Sequence, residues 1–215
     1  MQDLPCLHAD AALVVLDKPA GLLSVPGRGA DKQDCASARA QAQWPDAQIV
    51  HRLDMATSGL LLMARGAAMQ RCLSMAFESR QVHKRYVALV AGHVAPPAHT
   101  WGEIALPLMT DWPNRPRQRV DAAGRPSLTR WRVLAHESDA AGRALTRLEL
   151  EPVSGRTHQL RVHLQAIGHA ILGDALYADE DGRARSPRLL LHASTLALTH
   201  PLNGETMQWH SPPPF

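Results

Sequence analysis

The sequence has few cysteines and no long apolar run, and each shortage excludes a class of protein. Cys6, Cys35 and Cys72 are odd in number and widely spaced, which favours neither a disulfide framework nor a zinc cluster. No run reaches the ~18 consecutive apolar residues that a membrane-spanning helix requires. The first ten residues lack the basic start and apolar stretch of a secretory signal. We therefore expect a cytoplasmic protein with reduced thiols and no membrane association.

Lysine and aromatic residues are also scarce, whereas arginine is abundant. Lys18, Lys32 and Lys84 are the only lysines among 23 basic residues, and the formal net charge is +3. The guanidinium group suits phosphates and stacks on bases, so the excess of arginine favours a polyanionic partner. A GC-rich genome produces the same bias without any functional cause. Because aromatic residues make up only 4% of the chain, an RNA partner would be recognised by its folded shape rather than by a series of stacked bases.

Residues 51–59, HRLDMATSG, form a polar segment with one carboxylate between two apolar stretches. The apolar pair at 49–50 precedes it and the apolar run 60–64 follows, which predicts two short buried strands that meet at a tight corner, with Asp54 at the end of the first. A strand end that opens into a turn is a place where a rigid scaffold can hold a reactive side chain. The alternative is that Asp54 only caps the turn by accepting N–H bonds from residues 57–59.

Hydrophobic periodicity elsewhere predicts a chain that mixes helices with strands. Helices are expected over 37–44, 67–79 and about 154–167, and strands over 12–16, 82–91, 101–106, 128–135, 144–152, 188–193 and 207–209. In the second helix the apolar side is expected to carry Cys72 into the core. In the third, the buried stripe is Leu160, Leu164 and Ile167, and Arg161 lies on a polar face.

Residues 111–124 form a basic, proline-rich excursion that includes Arg115, Arg117 and Arg119. Such a loop is either a solvated connector or an arm that lies on an anionic ligand.

Six separated segments together resemble, in order and spacing, the motifs of the RluA-type pseudouridine synthases. The resemblance covers about residues 14–201, and the segments that carry it are 17–21 (DKPAG), 51–59 (HRLDMATSG), 84–88 (KRYVA), 155–163 (GRTHQLRVH), 173–177 (GDALY) and 191–193 (LHA). Within that family, residues 21–28, 51–59 and 111–116 are most similar to members that act on both large-subunit ribosomal RNA and transfer RNA. Only about ten residues precede the first core strand, so we expect no N-terminal S4 domain and a single catalytic domain over residues 1–215.

The resemblance implies an α+β pseudouridine synthase fold: a mixed, mostly antiparallel sheet in two lobes, with helices outside and a cleft between the lobes. It implies that Asp54 is the nucleophile and that Arg161 pairs with Asp54 to keep the carboxylate ionised. Tyr86 is expected to stack on the target base, and its hydroxyl is the candidate to take the C5 proton. The isomerisation gains and loses no atom, so no cofactor is expected.

The same resemblance implies an RNA partner whose target uridine is flipped out of its stack. Arg52 is the candidate to fill the vacated position, and Arg115, Arg117 and Arg119 are expected to hold phosphates. Arg156 and His158 are further candidates for RNA contacts. We expect the protein to act as a monomer.

Four other interpretations are compatible with parts of the sequence. The chain could modify only one of the two RNA classes, or it could be a catalytically inert RNA-binding module. A serine hydrolase lacks its G-x-S-x-G elbow, and a glycosidase needs a second carboxylate, for which Glu78, Glu149 and Asp174 are available but not favoured by their segments. No metal site is expected, because neither H-E-x-x-H nor C-x-x-C occurs.

Overall fold

The structure is a computed structural model that describes residues 4–215. Its helices are α1 (Ala36–Gln43), α2 (Gly66–Glu78), α3 (Gln159–Ala166) and α4 (Glu180–Ala184). Its strands are β1 (Cys6–Ala9), β2 (Leu13–Lys18), β3 (Ala47–Ile49), β4 (Ser58–Arg65), β5 (His83–Ala91), β6 (Gly102–Ala105), β7 (Leu108–Thr110), β8 (Gln118–Val120), β9 (Leu128–Ser138), β10 (Ala144–Pro152), β11 (Leu191–Thr199) and β12 (Thr206–His210). The fold is the mixed α+β class that the sequence predicted, with mostly antiparallel strand pairing.

The chain forms two compact units. Unit 1 comprises the described residues up to Lys84 together with His192–Pro214, and unit 2 comprises Arg85–Leu191 with Phe215. None of the helices in the described part of the chain is long and apolar enough to cross a membrane.

In unit 1 the strands pair in the order β1-β2-β4-β11, with β3 on the far end of β4 and β12 on β11. The pairing of β4 with β11 is parallel, and the other pairs are antiparallel. Leu62 of β4 belongs to a cluster that includes Leu73 of α2, whereas Met63 belongs to a cluster with Ala40 of α1. Because helices cover both faces, β4 is an unbroken apolar run rather than an alternating one.

In unit 2 the four strands β5, β10, β9 and β6 pair antiparallel in that order. The basic excursion after β6 is not an irregular connector. β7 and β8 pair as a hairpin in which Leu108 lies opposite Val120 and Thr110 lies opposite Gln118. Strands of three residues are too short to show a period of two, which is why the sequence did not indicate them.

Five details of the sequence prediction were wrong. β3 ends at Ile49, so Asp54 lies within an eight-residue connection, residues 50–57, and not at the end of a strand. Cys72 is exposed although it follows the apolar spacing of α2, and Ile167 is 36% exposed because it follows the last turn of α3. The third predicted helix begins at Gln159 and not at about residue 154; Arg161 within it is only 5% exposed, because α3 is buried on nearly every side.

Candidate active site

The connection that carries Asp54 is fixed first by Ser24. The Ser24 hydroxyl donates to the carbonyl oxygen of Leu53 at 2.7 Å and accepts the Leu53 N–H at 3.1 Å. Ser24 is 3% exposed and Leu53 is 5% exposed. One buried side chain therefore occupies both backbone groups of the residue that precedes Asp54, so the backbone there cannot turn over without losing two hydrogen bonds.

A second anchor is Lys18, whose side chain is fully buried. Its ammonium group donates to the carbonyl oxygens of Pro19 at 3.0 Å, Leu22 at 2.8 Å and Met55 at 3.2 Å. The Gly21 N–H donates to the same Met55 oxygen at 2.8 Å. A buried cation requires hydrogen-bond partners, and these partners tie the 17–21 turn to the residue that follows Asp54.

His51 ties the start of the connection to β4. Its Nε2 accepts the N–H of Leu62 at 2.9 Å, and its ring stacks on Phe77 with the centroids 4.6 Å apart. Burial, together with the positive charge of Lys84, lowers the pKa of His51 to about 3. The ring is therefore neutral at physiological pH, and its place in the motif is structural rather than that of an acid or base.

The end of the connection requires a glycine. Gly59 has φ +108°, and a Cβ atom there would fall onto the carbonyl oxygen of Ala193. Gly59 and Ala193 are opposite each other in the parallel pairing of β4 with β11. Any side chain at position 59 would force these strands apart, so the glycine sets how closely β11 approaches the Asp54 connection.

Next to Gly59, a buried polar relay joins β4 through β11 to the residue that follows β12. Ser58 Oγ is 2.9 Å from His192 Nδ1, and His192 Nε2 is 3.0 Å from the hydroxyl and 3.1 Å from the carbonyl oxygen of Ser211. The Ser211 hydroxyl donates to Asp17 at 2.6 Å. Because that carbonyl oxygen can only accept, the proton of a neutral His192 is on Nε2, and Nδ1 accepts from Ser58. Ser58 and His192 are 3% and 2% exposed, so this serine–histidine pair is structural and not a hydrolase nucleophile.

Asp54 itself is partly buried, and Arg52 is exposed. The backbone oxygen of Asp54 accepts the N–H of Thr57 at 3.1 Å, which closes the turn through the main chain. The expected nucleophile therefore lies on a connection that is held on both sides, and the expected stack-filling arginine lies two residues before it.

In unit 2, Arg161 is paired with Asp174. Arg161 Nε and Nη2 donate to the two carboxylate oxygens of Asp174, each at 2.8 Å. Asp174 is fully buried, and its Oδ1 also accepts the N–H groups of Leu176 and Tyr177. This fork geometry fixes the orientation of the guanidinium plane.

Tyr177 connects the same arginine to the hairpin. The Arg161 guanidinium lies 5.0 Å from the centroid of the Tyr177 ring. The Tyr177 hydroxyl oxygen accepts the N–H of Gln118 in β8 at 2.8 Å and lies 2.7 Å from Nδ1 of His158. One phenol therefore ties the loop end of the basic hairpin, where β8 begins, to the residue that precedes α3.

The expected RNA-binding arginines of the hairpin are exposed. Arg119 forms an ion pair with Asp121 at 2.9 Å, and the Arg115 guanidinium lies 4.6 Å from the centroid of the Trp112 ring. Arg117 and Arg119 also line a groove of about 540 Å³ that extends to Tyr177. Arg156, outside the hairpin, is partly buried and donates from Nε to the carbonyl oxygen of Pro126 at 3.3 Å.

The candidate residues are thus distributed over both units. Asp54 and Arg52 belong to unit 1; Tyr86 and Arg161 belong to unit 2. Tyr86 is partly buried in β5, opposite Leu150 of β10. The convergence of Asp54, Tyr86 and Arg161 stays a prediction. Within the described residues, no three histidine, cysteine, aspartate or glutamate side chains are grouped as a metal site.

Lys18, His51, Asp174 and Tyr177 lie within the family-like segments, but the sequence alone indicates no role for them in the site. A lysine between an apolar strand and a proline is expected at the surface, whereas in the structure its ammonium group is buried among hydrogen-bond partners that include three carbonyl oxygens. The spacing of 173–177 (GDALY) was the available signal for Asp174 and Tyr177.

Comparison with known proteins gives consistent matches. A family model described as RNA pseudouridylate synthase matches residues 12–166. The dual-specificity RNA pseudouridine synthase RluA of Escherichia coli K12 is 46% identical over 213 residues, which cover 99% of this chain and 94% of that protein. RluA of Yersinia pestis is 45% identical over 204 residues, covering 94% of this chain and 96% of that protein.

Solved structures agree. Human RNA pseudouridylate synthase domain containing 1 superposes with a TM-score of 0.81 at 29% identity, covering 99% of this chain and 84% of that one. Human RNA pseudouridylate synthase domain containing 4 superposes with a TM-score of 0.73 at 27% identity, covering 97% of this chain and 88% of that one.

Proposed function

This chain belongs to the RNA pseudouridylate synthase family, and we propose that it isomerises specific uridines to pseudouridine in both large-subunit ribosomal RNA and transfer RNA. It is an isomerase, an RNA pseudouridine synthase. The observation that supports the dual target is the identity of 46% over nearly the whole chain with an enzyme named for dual specificity.

The reaction breaks the bond between C1′ and N1 of a uridine, rotates the uracil and joins C1′ to C5. The proton at C5 is lost and N1 gains one, so atoms and electrons balance without a redox partner. The residues must supply a nucleophile, a means of keeping it charged and an acceptor for the C5 proton.

We assign the nucleophile to Asp54. The bonds to both backbone groups of Leu53 and to the Met55 oxygen support this assignment, because they restrain the chain on either side of the carboxylate. Such restraint lowers the cost of reaching the reactive geometry. Attack at C1′, addition at C6 and elimination at C2′ are all compatible with this position.

We assign to Arg161 the role of holding Asp54 as an anion. Arg161 donates to Asp174 from Nε and Nη2, and a guanidinium has five N–H donors, so one arginine can bond to two acceptors at once. Because the charge of Arg161 is already balanced by Asp174, its main contribution to Asp54 would be oriented hydrogen bonding. Tyr86 would stack on the flipped uracil and accept the C5 proton.

RNA binding is assigned to the exposed arginines. Arg115, Arg117 and Arg119 would contact phosphates, which gives salt-dependent affinity with little sequence information. Arg52, which is exposed two residues before Asp54, would occupy the stack that the target base leaves. Arg156 and His158, at the start of α3, are proposed to contact the RNA near this point. We also propose that the enzyme acts in the cytoplasm, as a monomer and as a single catalytic domain.

The test is pseudouridine mapping of ribosomal and transfer RNA from cells with and without the gene. The proposal expects at least one site in each RNA class to disappear and to return with the wild-type gene but not with Asp54→Asn. Loss from only one class would establish a single-target enzyme. In a tritium-release assay on C5-labelled uridine RNA, no release with stoichiometric wild-type protein would establish an inert binder.

A further inference from the structure

The tip of the β7–β8 hairpin presents an aromatic ring that none of the roles above uses. Trp112 is 66% exposed, although the guanidinium of Arg115 lies 4.6 Å from its ring centroid. Large aromatic side chains are ordinarily buried because each removes a large apolar area from water. Because tryptophan is enriched at interfaces, a ring with this exposure is a candidate for a binding contact.

The hairpin tip holds this ring in a defined place. The Asp111 N–H donates to the Arg117 oxygen, the Asn114 N–H donates to the Asp111 oxygen and the Arg117 N–H donates to the Asn114 oxygen, each at 3.0 Å. The Asn114 side-chain amide donates to the Asp111 carboxylate at 2.9 Å, and the Tyr177 hydroxyl accepts the N–H of Gln118, the residue directly after the tip, at 2.8 Å. A ring on such a preorganised tip loses little conformational entropy when a ligand covers it.

The charge around the ring favours an anionic partner. Arg115 and Arg117 are exposed, and in residues 4–215 no carboxylate lies within ion-pair distance of either guanidinium. The two acids that flank this segment in the sequence have other partners: Asp121 pairs with Arg119, and Asp111 accepts from Asn114. A flat apolar face beside two unneutralised guanidinium groups matches a nucleobase attached to its phosphates.

We propose that Trp112, with Arg115 against its ring, is a stacking site for an unpaired base of the substrate RNA, separate from the flipped uridine. This inference rests on the proposed function and adds a positioning contact to it. The base must be unpaired and unstacked, because the faces of bases within a helix are covered by their neighbours. The site would therefore favour RNA that has a loop or bulge at the distance of the hairpin tip from the target.

The test measures binding of a synthetic RNA stem-loop with a uridine-containing loop, and of the fully paired duplex of the same length, in an Asp54→Asn background that prevents turnover. Trp112→Leu is expected to weaken stem-loop binding by roughly 5- to 150-fold, as for other base–aromatic stacks, and duplex binding much less. Trp112→Phe should keep most of the affinity. Leu134→Ala, at an apolar side chain of β9 that is 45% exposed, is the matched control and should bind as the parent does.

Salt dependence separates stacking from charge. Trp112→Leu should leave the slope of log affinity against log salt unchanged, whereas Arg117→Gln should reduce its magnitude by roughly 0.7 to 0.9. Unchanged stem-loop affinity of Trp112→Leu, or an equal loss for stem-loop and duplex, would overturn the stacking site. With Asp54 restored, Trp112→Leu should raise KM and keep kcat. Full turnover together with unchanged binding in this variant would refute only the stacking site. Absence of turnover in the wild type would refute the proposed function.

Discussion

Arg161 and Asp174 are joined by two parallel hydrogen bonds of 2.8 Å, Nε to Oδ2 and Nη2 to Oδ1. Both side chains are buried, and the carboxylate also receives two backbone N–H groups. The residue that we expected to face Asp54 is thus held by a carboxylate of its own unit, 13 positions along the chain. Asp174 is a positioning residue, and its partner is the proposed catalytic group.

Arg161→Met is expected to remove most turnover, because it deletes the guanidinium that we assign to the ionised Asp54. It also leaves the Asp174 carboxylate buried without its cation, which costs about 3–5 kcal/mol in comparable pairs. The double variant Arg161→Met/Asp174→Asn avoids the unpaired charge and should recover much of the stability while remaining inactive. Single-turnover assays and urea unfolding measure the two effects, and near-normal turnover in either folded variant would refute the role of Arg161.

Asp54→Asn should abolish isomerisation and leave RNA affinity within a few-fold. The amide has the shape of the carboxylate but is not a nucleophile at neutral pH. Tritium release and filter binding are the measurements. Asp46→Asn is the control, since Asp46 is exposed and pairs only at the surface with Arg65, and it should keep both activities. A large loss of binding by Asp54→Asn would instead mean that Asp54 organises the fold.

Gly59→Ala should destabilise the protein by roughly 3 kcal/mol or more, because the methyl group meets the Ala193 carbonyl oxygen and the φ of +108° is strained for alanine. Gly204→Ala is the matched comparison: its φ is +74° and nothing lies within 4 Å of the added Cβ, so only about 1–2 kcal/mol of backbone strain is expected. Urea unfolding of both variants measures the difference. Equal losses would show that β11 can move away from β4 at little cost.

The low pKa of His51 predicts acid sensitivity of folding. Burial, together with the charge of Lys84, lowers that pKa to about 3, whereas an unfolded histidine titrates near 6.5. As the pH falls through 6.5, His51 becomes protonated in the unfolded state but stays neutral in the folded state. The free energy of unfolding therefore decreases between about pH 6.5 and pH 3. At pH 5 the loss from His51 amounts to as much as about 2 kcal/mol.

His51→Gln keeps an acceptor for the Leu62 N–H but cannot titrate. Its urea midpoint should therefore fall less between pH 7.5 and pH 5 than the wild-type midpoint does. His163, whose pKa burial also lowers, contributes equally to both proteins and cancels in the comparison. Parallel pH profiles would show that the His51 ring accepts a proton in the folded state.

Local sequence determined most of the secondary structure. The apolar run of β4 and the alternation of apolar and polar residues in β10 were sufficient to predict these two strands. A strand buried on both faces is apolar throughout, and a strand buried on one face alternates. The family-like segments likewise predicted that Asp54, Tyr86 and Arg161 are the residues to which the proposed chemistry is assigned. Cys72 shows the limit of periodicity, since the spacing defines a side of α2 but not how far the neighbouring strands cover that side.

Only the tertiary structure decided which groups hold the candidate residues. The sequence does not show which groups contact a charged side chain. In the structure, three carbonyl oxygens accept hydrogen bonds from the buried ammonium group of Lys18, and Asp174 pairs with the buried guanidinium of Arg161. The free energy of burying a charge depends on the distance and direction of its partners, and these arise when separate segments pack together. The order of residues therefore predicted the candidate side chains, and only three-dimensional packing showed which groups hold Arg161 and the chain on either side of Asp54.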